Sequence, residues 1–302
     1  MENKIIMKSF KIIYLFFLIF ILGCKDIQKK KEIDITTDIN KLIAHKKLDI
    51  GISIRNTSGD EIVSVNSKKK YRLYSVSKFF LALYILNQVD KGKLDLNQII
   101  TFSKKDLKPD LYSPLRDSIP QGARLSLKKT IKYLVEESDN NVFNKLADIS
   151  GGLNHLNVFV YNTFRASKNE FFEMYDYSSS KSDFEANSIT PNLATEILYQ
   201  LEKKEILSNN SYRLLKKYME HSAIDTRIQG IIKNDTKSFH KAGTSDRENG
   251  VMFACNDIGI VNLKNGTSFM IGVFISDSKE DDKTNDTLIA QITEIAYKNL
   301  DN

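Results

Sequence analysis

The stretch that follows Ser75 constrains this chain most. Phe79, Phe80, Leu81, Leu83, Ile85, Leu86 and Val89 fall within eleven residues, so apolar side chains leave nearly every side of a helix. A surface helix carries one apolar stripe, whereas a helix apolar all round must be enclosed by other elements. Gly92 supplies a stop. The rest of the chain must therefore provide packing partners around residues 75–91.

Those partners are legible on both sides. Helical patterns recur at 128–134, 142–147, 192–201 and 211–219. Near the start, Ile39, Leu42 and Ile43 read as a first helix. Ile50, Ile52 and Ile54 then alternate with Gly51, Ser53 and Arg55 as a strand, and a turn at 56–60 leads to a second strand at 62–65. Strand patterns return at 239–244, 250–261 and 268–275, joined by Asp246-Arg247-Glu248-Asn249 and by Asn265-Gly266, a strong hairpin signal. A last helix at 287–300 carries Leu288, Ile289, Ile292, Ile295 and Ala296 at helical spacing. This order predicts an α+β fold: an antiparallel sheet flanked by terminal helices and completed by both chain ends, with an all-helical domain inserted. The boundaries are 39–73 plus 220–302 for the sheet domain and 74–219 for the helical one. At 302 residues, 41% hydrophobic, with four prolines, the chain has material for a large core and no long linker.

The first residues read as an export signal. Lys4, Lys8 and Lys11 precede an apolar run at 12–22, eleven residues, short for a membrane span. Met7-Lys8 is an alternative start. Ile21-Leu22-Gly23-Cys24 resembles a bacterial lipobox, which implies cleavage before Cys24, a lipid on its thiol, and a tether at 25–38. The expected location is a membrane-anchored lipoprotein facing the periplasm. Removing Glu2 and the three lysines with residues 1–24 takes the net charge from +6 to +4. No basic stripe with interleaved aromatics points to nucleic acid. With Cys24 lipidated, Cys255 stands alone in the apolar run 251–255 and reads as a small buried hydrophobe.

Chemistry is carried by an ordered set. Ser75-Val76-Ser77-Lys78 opens the buried helix, and its spacing puts an ammonium beside a hydroxyl on one helical face. A serine nucleophile needs such a neighbour, and a desolvated lysine can act as the base. Ser138-Asp139-Asn140, about sixty residues on, would alone be a helix cap. Lys241-Ala242-Gly243-Thr244 lies on a C-terminal strand. Each motif is common singly; in this order and context they match the serine enzymes that recognise penicillins.

With Tyr112-Ser113-Pro114, Glu137-Ser138-Asp139-Asn140, Thr226-Arg227-Ile228-Gln229-Gly230 and Asn256-Asp257-Ile258-Gly259-Ile260-Val261, residues 40–300 resemble class A β-lactamases, most closely their VEB/PER-like extended-spectrum branch. The resemblance implies a β-lactamase/transpeptidase-like fold and hydrolysis of penicillins and cephalosporins. Ser75 would attack the lactam carbonyl and Lys78 would shuttle its proton. Ser138 would protonate the leaving nitrogen, and Asn140 would bond the acylamide side chain. The backbone N–H groups of Ser75 and Thr244 would form the oxyanion hole. Lys241, Gly243, Thr244 and Arg227 would form the substrate-carboxylate side, with Tyr112 at the border. His240 reads as structural. No metal or cofactor is implied, and the expected state is a monomer.

Two departures stand out. Ala242 replaces a hydroxyl residue of the K-T-G triad, weakening carboxylate binding by roughly 1.5–3 kcal/mol. The deacylating glutamate is also ambiguous: counting back about sixteen residues from Thr190-Pro191 lands on Met174, between the candidates Glu170 and Glu173. Glu170 suits the preceding residues and Glu173 the spacing. An arginine bracing this loop is not evident, and Asn187 stands where its aspartate partner would be. Alternatives are a penicillin-binding protein or peptidoglycan-directed serine hydrolase with slow deacylation, or a β-lactam-binding lipoprotein without turnover.

Overall fold

The computed structural model describes residues 35–171, 173–180 and 186–301. The export signal, Cys24 and the tether up to residue 34 lie outside the described residues. Helix α1 (Ile35–Ile43) begins earlier than the sequence pattern suggested, so residues 35–38 are helix and not tether.

Strands β1 (Asp49–Arg55), β2 (Glu61–Val65), β7 (Ser238–Thr244), β10 (Cys255–Asn262) and β11 (Ser268–Ser276) form one antiparallel sheet ordered β2-β1-β11-β10-β7. Both chain ends complete it, as the alternation of Ile50, Ile52 and Ile54 foreshadowed. Because side chains alternate across a strand, β11 feeds two cores. Phe269, Ile271, Val273 and Ile275 pack with Ile39 of α1 and with Leu288, Ile289, Ile292 and Ala296 of α9 (Asp282–Leu300). Met270 and Phe274 face the other way, into the cluster that holds the remaining helices. With both faces covered, β11 is buried along almost its whole length.

The helical layer comprises α2 (Ser77–Asp90), α3 (Pro114–Ser118), α4 (Leu127–Val135), α5 (Asn140–Ile149), α6 (Leu153–Phe164), α7 (Pro191–Glu202) and α8 (Asn209–Glu220). Helix α2 runs through its middle with eleven of fourteen residues buried, packed by α4, α5, α6, α8 and β7. That enclosure is what its all-round apolar sequence demanded. Helix α6 is not among the sequence expectations, although Leu153, Leu156, Val160 and Phe164 lie on its buried side or edge.

Three small sheets tie the connections down. Strand β3 (Tyr71–Arg72) pairs with β6 (Ser188–Ile189), and β4 (Ile99–Phe102) pairs with β5 (Ala123–Ser126). The expected strand at 250–261 is divided: β8 (Arg247–Glu248) and β9 (Val251–Met252) make a separate hairpin turning at Asn249 and Gly250, both at positive φ. The division has a local cause. Ser245 Oγ accepts hydrogen bonds from the Phe253 and Ala254 N–H groups, diverting the chain before β10 starts.

Candidate active site

Ser75 lies in a 3₁₀ turn, Tyr74–Val76, immediately before α2. Tyr74 is held at φ +46°, a left-handed conformation costing on the order of 1–3 kcal/mol in a non-glycine residue. The turn is anchored from outside by the Leu73 N–H, which donates to the Asn187 carbonyl at 2.8 Å.

Lys78 is fully buried one turn on. Its Nζ lies 2.8 Å from Ser75 Oγ, 2.6 Å from Asn140 Oδ1 and 2.8 Å from Tyr177 Oη. Burial drives its pKa well below the ordinary lysine value, and the charge of Asp139 opposes this only in part. A neutral Lys78 carries a lone pair able to take the Ser75 proton.

Across the cleft, Ser138 is also in the left-handed region, at φ +57°. Its Oγ accepts from Lys241 Nζ at 3.0 Å. Burial pushes the Lys241 pKa down to about 7. Asp139 is buried and structural: it caps α5 at the Val142 N–H and receives the Leu115 N–H and the Ser113 hydroxyl, fixing the turn after Tyr112. The Asn140 N–H then bonds the Tyr112 carbonyl.

Strand β7 forms the opposite wall. A Cβ on Gly243 would sit 2.5 Å from the Leu73 carbonyl oxygen and 3.1 Å from the Ser75 nitrogen. Only glycine lets the strand approach the nucleophile turn this closely. Thr244 borders the cleft, while Arg227 lies behind it, 3% exposed. Arg227 Nε pairs with Asp286 at 2.7 Å, Nη1 donates to the carbonyls of Gly243 and Asn256, and Nη2 donates to Thr244 Oγ1. Of the residues expected to form the carboxylate side, Lys241 and Thr244 thus line the cleft, and Arg227 reaches it through Thr244.

Ser75, Tyr112, Ser138, Asn140, Lys241 and Thr244 enclose a cleft of about 400 Å³, with Tyr112 exposed at the rim. Ala242 also lines it and brings no hydroxyl. His240 is buried with Nδ1 2.9 Å from the Asp257 carboxylate, a structural placement. Cys255 is buried, its thiol pushed up to about 12 by burial.

The structure does not bring Glu170 or Glu173 to Ser75. The Glu170 carboxylate accepts from the Ser167 N–H and hydroxyl, closing its own turn. Glu173 is exposed and faces a separate hollow with Asn154, Asn157 and Asp176. Among the described residues of this segment, the one that lines the cleft is Tyr177, whose hydroxyl is 3.5 Å from Ser75 Oγ. Three asparagines fix the backbone around it: Asn157 accepts the Met174 N–H, Asn187 pairs with both polar groups of Tyr175, and Asn144 accepts the Tyr177 N–H. Tyr177 escapes motif reading because it lies in no helix or strand, and Asn144 and Asn157 because a polar residue on a helix gives no sign of the distant backbone it bonds.

From residue 34 to residue 300 the sequence matches a family described as the beta-lactamase enzyme family. The chain belongs to that family. It is 32% identical to a beta-lactamase of Bacteroides uniformis over 86% of this chain and 88% of that protein. Beta-lactamase VEB-1 of Pseudomonas aeruginosa is 30% identical, over 87% and 89% of the two chains. A class A beta-lactamase from Bacteroides cellulosilyticus superposes with a TM-score of 0.84 at 29% identity, covering 89% of this chain and 98% of that one. The antiparallel sheet and its helices are therefore the class A β-lactamase fold, and the family's reaction is hydrolysis of the β-lactam amide bond.

Proposed function

We propose that this chain is a serine β-lactamase that hydrolyses penicillins and cephalosporins through an acyl-enzyme on Ser75. One observation carries the reading: a fully buried, pKa-depressed Lys78 holds Ser75 Oγ at 2.8 Å inside a cleft whose far side presents Ser138 joined to Lys241. Neutral Lys78 takes the Ser75 proton as Oγ attacks the lactam carbonyl. The oxyanion is received by the backbone N–H groups of Ser75 and Thr244, which the tight approach at Gly243 supports. Ser138, bonded to the Lys241 ammonium, passes its proton to the departing nitrogen as the ring opens and is refilled with the proton that Lys78 took from Ser75, so Lys78 is neutral again before the acyl group is released. Lys241 and the Thr244 hydroxyl hold the substrate carboxylate, Asn140 bonds the side-chain amide, and Tyr112 borders the opening.

The proposal extends to location and organisation. Cys24 would carry a lipid that tethers a monomer to the membrane on its periplasmic side, and residues 74–219 would form a helical domain inserted between the two parts of the sheet domain. Replacing Cys24 by Ala should move the protein from the detergent phase to the aqueous phase.

One experiment tests the activity. Purified protein is mixed with a chromogenic cephalosporin while colour and intact mass are followed together. Steady colour release with little adduct is expected, and Ser75→Ala should abolish both. A permanent stoichiometric adduct on Ser75 would instead establish a penicillin-binding protein with slow deacylation. That neither Glu170 nor Glu173 lines the cleft is the observation that favours this second reading.

A further inference from the structure

Hydrolysis of an acyl-serine needs a group that takes a proton from water. No carboxylate among the described residues hydrogen-bonds to Ser75 or Lys78. Asp110 and Asp246 line the cleft but are exposed at its rim, and Asp139 is engaged by Ser113, Leu115 and Val142. What does reach both reacting side chains is a phenol.

We propose that the Tyr177 hydroxyl, acting with Lys78, activates the hydrolytic water in deacylation and so replaces the carboxylate expected on this loop. This rests on the acyl-enzyme reading above. Tyr177 Oη touches Lys78 Nζ at 2.8 Å and Ser75 Oγ at 3.5 Å, and it lines the cleft that admits substrate. Its place is fixed from three sides. Asn144 holds its N–H, the Phe143 ring meets it edge-on at 5.1 Å and 87°, and Asn157 and Asn187 secure Met174 and Tyr175 before it. Such positioning is what a proton-transfer group requires.

The chemistry divides between the two residues. Burial pushes the Tyr177 phenol up to about 12, so near neutral pH it is a hydroxyl, able to donate one proton while accepting another. The same burial leaves Lys78 with a lone pair. As a water oxygen attacks the ester carbon, its proton moves to Tyr177 Oη and the Tyr177 proton moves to Lys78 Nζ. The tetrahedral intermediate then breaks its bond to Ser75 Oγ, which recovers the proton from Lys78. One water is consumed, the acid product leaves, and the serine, phenol and amine are restored.

The test uses the full chain and a chromogenic cephalosporin in rapid-mixing and intact-mass measurements. Tyr177→Phe keeps the ring and removes only the hydroxyl. It should acylate with a full one-equivalent burst but deacylate about 10²–10⁴-fold more slowly, leaving adduct on Ser75. The wild-type deacylation rate in mixed light and heavy water should bow, because two protons move together. Wild-type deacylation in Tyr177→Phe, or a linear isotope dependence, overturns the proposal while hydrolysis stands. So does trapping of the acyl-enzyme by Glu170→Gln, Glu173→Gln, Asp183→Asn or Glu185→Gln, the last two positions lying outside the described residues. A wild-type protein that never releases its adduct defeats hydrolysis itself, and the proposal with it.

Discussion

Arg227 Nη2 donates a hydrogen bond to Thr244 Oγ1 at 2.7 Å, so the threonine hydroxyl turns its own proton away from the guanidinium. The cleft is on its free side. A buried guanidinium paired with Asp286 thereby reaches the cleft through one small side chain. Thr244→Val should raise KM roughly 10–100-fold, the worth of a charge-assisted hydrogen bond, with a smaller change in kcat and a small drop in melting temperature, because Arg227 Nη2 loses its acceptor. Arg227→Ala should also lower the melting temperature, since it strands Asp286 and two backbone carbonyls. Michaelis curves alongside thermal melts separate the two effects; a Thr244→Val variant with wild-type KM would contradict this account.

The two buried lysines set opposite limbs of a pH profile. Lys78 must be neutral to accept the serine proton, so kcat/KM falls as acid protonates it. Lys241 must be charged to hold a carboxylate, and its pKa of about 7 means that this form is lost as pH rises through neutrality. The free-enzyme profile is therefore a bell, whereas the profile of kcat should be broader on the alkaline side, because bound carboxylate restores the Lys241 proton. Lys241→Arg should carry the alkaline limb upward by more than one pH unit, the guanidinium remaining charged. A limb that stays in place would assign that titration to another group.

Gly243 offers a steric test. Its missing Cβ makes room for the Leu73 carbonyl and the Ser75 nitrogen, both backbone atoms that cannot swing aside. Gly243→Ala should push the strand and the nucleophile turn apart, costing about 1–3 kcal/mol of stability and slowing acylation by about 100-fold. Burst kinetics and a denaturant melt measure both, and wild-type acylation would mean that the turn moves freely.

The parts of this molecule that repeat were legible in its sequence. The alternation of Ile50, Ile52 and Ile54 and the all-round apolar face of α2 gave the sheet and the central helix, because burial enforces those periods. Ser75, Lys78, Ser138, Asn140, Lys241 and Thr244 were legible because their motifs sit at fixed offsets on such elements, and all line one cleft except Lys78, which is buried against Ser75. The stretch 173–177 was not legible. Its conformation is decided by side chains distant in sequence, such as Asn144 and Asn157, bonding its backbone, and no local pattern encodes that. Counting offsets there gave two glutamates, and the fold delivers a tyrosine.

Asn187 shows why the expected aspartate is absent. An aspartate suits an arginine partner, but here the partner is a peptide: Asn187 Oδ1 accepts the Tyr175 N–H at 2.7 Å while its Nδ2 donates to the Tyr175 carbonyl at 2.9 Å. That pairing needs one donor and one acceptor, which an amide has and a carboxylate lacks. Asn187 is also 1% exposed, so water cannot substitute for a lost partner. Asn187→Asp should therefore destabilise by about 1–3 kcal/mol at neutral pH, setting a buried charge against a carbonyl. Lowering the pH toward the carboxyl pKa should return part of that loss, because a protonated carboxyl regains a donor. Urea melts at two pH values check the sign, and equal destabilisation at both would place the cost outside this pair. Because Tyr175 sits two residues before Tyr177, the same variant should slow release of the acyl group more than its formation.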